Sequence, residues 1–160
     1  MHFRLLKPEY ERRKGEGNRL ALQRLVASDD PPGVLAYRGR TPVGWCSVAP
    51  RASYPRLARS RAMRPVDDRP VWSVVCLFVA REHRRQGVSV ALLRGAAEFA
   101  AGRGAEVLEG YPVEPRSGAM PDIFAWTGTA AAFHAAGFAE VARALPGRPV
   151  MRREVGGAGR

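Results

Sequence analysis

No apolar run in this chain is long enough to cross a bilayer: the longest, residues 71–80, is broken by Ser73 and reaches about half the ~20 residues a membrane helix needs. That length suits a strand. Residues 1–6 lack an extended apolar core and a small-residue cleavage site, so nothing marks the chain for secretion and the cytoplasm is the expected location, with no membrane partner. Cysteine is scarce. Cys46 and Cys76 lie in apolar strand-like runs, with no third cysteine and no paired histidines, which excludes a zinc set; no metal is expected. Both read as buried thiols, and a disulfide stays open only if their strands are neighbours, against the reducing bias of a cytosol. Lysine is almost missing too: Lys7 and Lys14 stand alone, and arginine carries nearly all of the net charge of +11. With 17 glycines, 13 prolines and abundant alanine, that pattern fits a GC-rich coding bias. An anionic small ligand is the second reading of the charge and nucleic acid the third. Neither Gly-x-x-x-x-Gly-Lys nor Gly-x-Gly-x-x-Gly after a strand is present, which removes two established phosphate motifs.

What is present is the size and composition of one folded domain. The 160 residues are 46% hydrophobic and 26% charged, enough for a single core and far from the composition of a disordered chain. Residues 2–6 are expected as a short first strand. Residues 8–14 and 18–28 follow as helical pieces broken at Gly15 and Gly17, with Asn18 capping the second and Leu20, Leu22, Leu25 and Val26 as its buried face. Residues 34–38 and 43–48 read as a β-hairpin around Gly39-Arg40-Thr41-Pro42. Residues 51–70 form a long basic loop whose arginines and Tyr54 are candidates to line an entrance, since long loops in compact domains carry function.

Residues 71–79 are the clearest strand, nearly continuous in apolar residues as a strand covered on both faces would be. Val88, Leu92, Ala96 and Phe99 then recur at helical spacing up to Gly102 and Gly104. Residues 107–111 supply another strand, so strand, helix and strand imply a right-handed crossover and a parallel pair. A short helix is expected at 129–136, two weaker strands at 138–143 and 150–153, and a frayed tail at 156–160.

Between strand and helix lies Arg81-Glu82-His83-Arg84-Arg85-Gln86-Gly87-Val88-Ser89. The first N–H groups of a helix have no partner inside it, and the helix dipole adds partial positive charge there, so this turn suits an anion. Gly87 lets backbone approach a phosphate, Ser89 keeps the path narrow, and Arg84 and Arg85 offer planar guanidinium donors. The competing reading is an ordinary arginine-rich turn.

Read as a unit, Leu77-Phe78-Val79, Arg84-Arg85-Gln86-Gly87-Val88-Ser89 and Leu92-Leu93 resemble the acyl-coenzyme A signature of the Gcn5-related N-acetyltransferase (GNAT) family, with Ser89 where glycine or alanine is usual. Pro42-Val43-Gly44-Trp45 resembles the family's second hairpin strand, and Phe133-His134-Ala135-Ala136-Gly137-Phe138 its last helix and following strand. The resemblance implies an α/β (α+β) fold: a mixed, mostly antiparallel sheet with splayed parallel central strands, flanked by helices.

It also implies acetyl-coenzyme A as cofactor. The backbones of Leu77 and Val79 would hold its pantetheine arm, an amide near Phe78 its acyl carbonyl, and residues 85–89 its pyrophosphate, with Arg84, Gln86 and Val88 in the same loop. The chemistry would be direct attack of a small-molecule or peptide amine on the thioester. The family's usual acid, a tyrosine, corresponds to Phe133, and a carboxylate used by some members corresponds to Ser73. Glu109 is then the leading candidate base, a carboxylate in an apolar strand beside the gap being the kind of group burial tunes for proton transfer, and Tyr111 the candidate acid. Asp122 and Trp126 are candidates to shape the amine pocket. A non-catalytic acyl-coenzyme A sensor and an acetyltransferase acting on RNA or charged tRNA are the alternatives, nucleic acid being the weaker; a homodimer is left open.

Overall fold

The structure, a computed structural model, describes residues 1–114 and 126–156. Its centre is the segment with the clearest sequence signal. Strand β3 (Trp72–Val79) runs into helix α3 (Val88–Ala101) and back into β4 (Val107–Gly110), and β3 and β4 pair in parallel. Around them stand α1 (Lys7–Arg12), α2 (Glu16–Val26), β1 (Gly33–Arg38), β2 (Thr41–Pro50), α4 (Ala130–Ala135), β5 (Ala139–Leu145) and β6 (Arg148–Glu154). The six strands form one sheet in the order β1-β2-β3-β4-β6-β5, antiparallel except for β3 with β4. This is the mixed, mostly antiparallel sheet the sequence led to. The described helices include none long and apolar enough to cross a membrane.

One face of the sheet is covered by α3 and α4. Val88, Leu92, Leu93, Ala96, Ala97 and Ala100 are buried against Val43, Cys46, Val48, Val74, Leu108 and Met151. Each buried leucine contributes roughly 1.5–3 kcal/mol. The alanines allow close approach, and so does Gly44, where a Cβ would stand 2.9 Å from Leu92 Cδ1. The other face is covered by the N-terminal segment and residues 51–70. Phe3, Tyr54, Leu57 and Met63 pack there on Val75, Tyr111 and Val150.

Several expectations are corrected. Residues 2–6 are not a strand: the Arg4 and Leu5 N–H groups donate to Met1 O, and the turn lays Phe3 on the sheet face, stacked on Trp126 with ring centroids 5.4 Å apart. Helix α2 starts at a Gly15 N-cap with φ of 81°, not at Asn18, whose Nδ2 donates instead to Tyr10 O at 3.0 Å. No residue of α2 is buried; Leu20 is 40% and Val26 56% exposed. The loop 51–70 contains three short 3-10 turns, and its Tyr54 is buried while also lining a cavity on this face of the sheet. Cys46 and Cys76 are free, on neighbouring strands but opposite faces, because Cys46 pairs with Leu77 in the ladder. Gly156 is held by a bond from its N–H to Glu106 O, and residues 157–160 lie outside the described residues.

The feature that shapes the site is where β3 and β4 part. Their ladder holds only Trp72↔Leu108, Ser73↔Glu109 and Val74↔Gly110. At its end the buried Phe133 ring lies directly on Gly110, so close that a Cβ would overlap its Cε1 and Cζ. Gly110→Ala is expected to destabilise the protein by about 1–3 kcal/mol through overpacking, read as a lower urea midpoint; an unchanged midpoint would contradict this packing.

Candidate functional site

Beyond Val74, β3 continues to Val79 without a β4 partner, while the chain after β4 turns to pair Val113 with Thr129. A bulge precedes this stretch: Ser47 and Val48 face Cys76 and Val74, leaving Val75 as the extra residue. Such a bulge re-aims the backbone that follows it. Leu77 N–H is thereby turned away from β2 into the gap, where it donates to Trp126 O at 2.7 Å. On the far side of the gap, Val113 N–H donates to Gly128 O and Ala130 N–H to Val113 O, both at 2.9 Å. Residues 126–130 are therefore bonded to both walls of the opening.

At the mouth of the gap is the glycine loop. Gly87 is the N-cap of α3 with φ of 78°, a left-handed conformation that glycine adopts without strain. Arg85 shares that region at φ of 57°. The first helical bond runs from Ala91 N–H to Gly87 O at 3.0 Å, so the N–H groups of Val88, Ser89 and Val90 precede the ladder. Arg84, Arg85, Gln86 and Gly87 are exposed, Ser89 is half-buried, and Val88 anchors the turn in the core. Arg84 Nε donates to Val79 O at 3.1 Å, and Gln86 Nε2 to Glu82 O at 2.8 Å, so the side chains brace the turn. The space around a Gly87 Cβ is open, and the requirement for glycine here is conformational. Phe78 is 55% exposed on the face opposite α3.

Glu109 and Tyr111 are brought together, in a closed network. Glu109 is fully buried; its Oε1 accepts from Arg51 Nη1 at 3.0 Å and Tyr111 Oη at 2.6 Å, and its Oε2 accepts from Arg152 Nε at 2.8 Å. Arg51 also donates to Tyr111 Oη, and its Nη2 to Met63 O at 2.5 Å. Arg152 forks onto Asp67 at 2.6 and 3.0 Å, which lowers the Asp67 carboxyl from its ordinary value. Ser73 Oγ lies 2.9 Å from Tyr111 Oη. Burial first, and then the Glu109 charge, push the Tyr111 phenol above its ordinary value. Two guanidiniums and two carboxylates thus balance in charge; Asp67 is exposed, and the desolvation of the fully buried Glu109 is offset by Arg51, Arg152 and Tyr111.

Sequence reasoning missed Arg51 and Arg152 as partners, although an acid in an apolar strand demands a cation and Arg152 is the ladder partner of Glu109. It also missed the Trp126 carbonyl, for which no sequence signal exists. Phe133 is buried and His134 exposed, and Asp122 lies outside the described residues. Among the described residues no group of side chains is arranged to hold a metal ion.

The sequence model described as "Acetyltransferase (GNAT) family" matches residues 2–120. The fold is similar to that of the ribosomal-protein-alanine N-acetyltransferase of Brucella melitensis, at 22% identity and a TM-score of 0.54, covering 86% of this chain and 76% of that one. It is also similar, at a TM-score of 0.47 and 14% identity, to the ribosomal-protein-S18-alanine N-acetyltransferase of Escherichia coli, covering 99% and 86%. A GNAT-family protein of Desulfovibrio desulfuricans matches at 19% identity and a TM-score of 0.48; 76% of this chain is covered, and the chain spans 66% of that protein's length. No curated protein matches the sequence.

Glu109→Gln leaves two buried guanidiniums short of charge and is expected to destabilise the protein by about 3–5 kcal/mol. Denaturant unfolding measures this; a loss below about 1 kcal/mol would mean that the network is not what holds β4.

Proposed function

The chain belongs to the GNAT acetyltransferase family, and on that premise we propose that it is an N-acetyltransferase that moves an acetyl group from acetyl-coenzyme A to a primary amine of a small molecule or peptide. The observation that carries the reading is one opening with two matched ends: a splayed β3 whose Leu77 N–H faces the gap, and the Gly87 turn with its unladdered N–H groups at the gap's mouth. These residues fit the cofactor's two polar features.

When bound, acetyl-coenzyme A supplies an acyl group activated as a thioester. The N–H groups of Gly87, Val88 and Ser89, helped by Arg85 and the helix dipole, would hold pyrophosphate oxygens. The β3 backbone at Leu77, Phe78 and Val79 would hold the arm, with Arg84 and Gln86 bracing the turn. Leu77 N–H would polarise the acyl carbonyl after exchanging its present acceptor, Trp126 O; a donor of this kind contributes a few kcal/mol to the transition state. The rest is orientation of two substrates.

Glu109 and Tyr111, proposed from sequence as base and acid, take a different part in this reading. A carboxylate that already receives two guanidiniums and a phenol would lose those pairs by taking an amine proton. We therefore assign both to positioning β4, with solvent water receiving the amine proton and protonating the departing thiolate.

One observation favours a second reading, an acyl-coenzyme A sensor: Phe133, in the position of the family's usual acid, has no proton to give and is sealed in the core. Release of free thiol from acetyl-coenzyme A across an amine panel supports the enzyme; cofactor binding with no release across that panel supports the sensor. Gly87→Val, β-branched at a φ of 78°, is expected to abolish coenzyme A binding by calorimetry, and unchanged affinity would sink the phosphate-site assignment.

A further inference from the structure

A second opening lies on the face of the sheet opposite α3. It is a cavity of about 370 Å³ between the N-terminal turn and the middle of β2 and β3, within the range of small-ligand sites. Phe3, Trp45, Tyr54 and Trp126 supply aromatic walls, and Cys76, the neighbour of Leu77, lies on its floor. Trp126 belongs to both openings: its ring lines this cavity, and its carbonyl caps Leu77 N–H in the gap. A ligand seated here therefore reaches the place where an acyl group on β3 would be presented.

The charge of this cavity is one-sided. Among the described residues no aspartate or glutamate lines it. Arg4 does, with its guanidinium over the Tyr54 ring at 4.9 Å from the centroid, and among the described residues no carboxylate is paired with it. His2 adds no acceptor charge. Its Nδ1 lies 3.1 Å from Arg56 Nη1, which makes that nitrogen an acceptor in a neutral ring, and burial, followed by Arg56, lowers its pKa from the ordinary value. The carboxylate that acts on His2, Glu11, is engaged by Lys14 at 3.8 Å on the exposed side of α1. The Tyr54 hydroxyl is held 3.2 Å from Ser47 Oγ and is raised by burial to about 12, so it stays neutral. An apolar wall that carries the Arg4 guanidinium and the Met1 amino group and, among the described residues, no carboxylate repels ammonium groups and favours carboxylates.

We propose that this cavity is the acceptor site and that its substrate is a small amine on an aromatic or similarly sized apolar body that also carries a carboxylate, which pairs with Arg4. The amine part rests on the acetyltransferase reading; the carboxylate and the apolar body do not. The same positive surroundings favour the neutral form of the amine, which is the form that attacks.

The test is made without coenzyme A, so it succeeds or fails independently of the acetyltransferase assignment. Two of the chain's three tryptophans, Trp45 and Trp126, line the cavity, and their emission reports occupancy. 3-Phenylpropionate and phenethylamine share one body and differ in the charged group. The proposal expects saturable quenching by 3-phenylpropionate, binding of phenethylamine at least about tenfold weaker, and a loss of about tenfold in 3-phenylpropionate affinity in Arg4→Gln, the size of one charge-assisted hydrogen bond. Equal affinity for the two probes in the unaltered protein, no quenching by either, or a folded Arg4→Gln that binds 3-phenylpropionate as before would each overturn it.

Discussion

Two arginines from distant parts of the chain converge on one fully buried carboxylate, and the position of β4 depends on that convergence. Arg51 arrives from the segment after β2 and Arg152 from β6, while Glu109 sits in the middle of a four-residue strand. Removing any one of them strands a charge in a medium that cannot solvate it, so the three elements have one low-energy arrangement. Asp67 and Tyr111 complete the set and bind the 51–70 segment to the sheet. The network lies at the closed end of the β3 and β4 pair. It fixes the hinge of the opening without entering it.

From that hinge the remainder follows by packing. Glu109 and Gly110 are the last residues of β4 paired with β3; one carries the charge network on one face and the other admits Phe133 on the opposite face. The ring packs on the last residue of β4 that pairs with β3, at the point where the strands part. The same ring, Gly128 and Leu77 are in close contact, and the segment that carries Gly128 also carries the carbonyl on Leu77 N–H. The Leu77 N–H in the gap is thus engaged by the protein's own backbone.

Much of this was legible in the sequence, and the division has physical causes. The strand, glycine turn and helix of residues 72–101 are written in local patterns, a continuous apolar run and a 3.6-residue repeat, and the structure reproduces them nearly to the residue. The short helix expected at 129–136 is found at Ala130–Ala135, with Thr129 as its cap, accepting from Ala132 N–H. The N-terminal turn was misread because a short run such as Phe3, Leu5 and Leu6 fits a strand or a covering segment equally well, and only the sheet's empty face decides. Helix α2 was misread for the related reason that leucines at helical spacing mark a face without saying that anything covers it. The network was half legible: Glu109 stood out, but its partners are 58 and 43 residues away, and pairing over such distances is set by strand register. The Trp126 carbonyl was invisible, since a backbone acceptor carries no sequence signature.

In the proposed function one opening, bounded by β3 and the Gly87 turn, receives acyl-coenzyme A. Backbone amide NMR during a coenzyme A titration tests it most directly. The largest shift changes are expected on Leu77 to Val79 and on Gly87 to Ser89, with Leu77 losing its present acceptor, while Glu109 and Arg152 stay in place. Changes centred on residues 51–70 or on the β5 and β6 hairpin, with Leu77 and Gly87 unmoved, would contradict it.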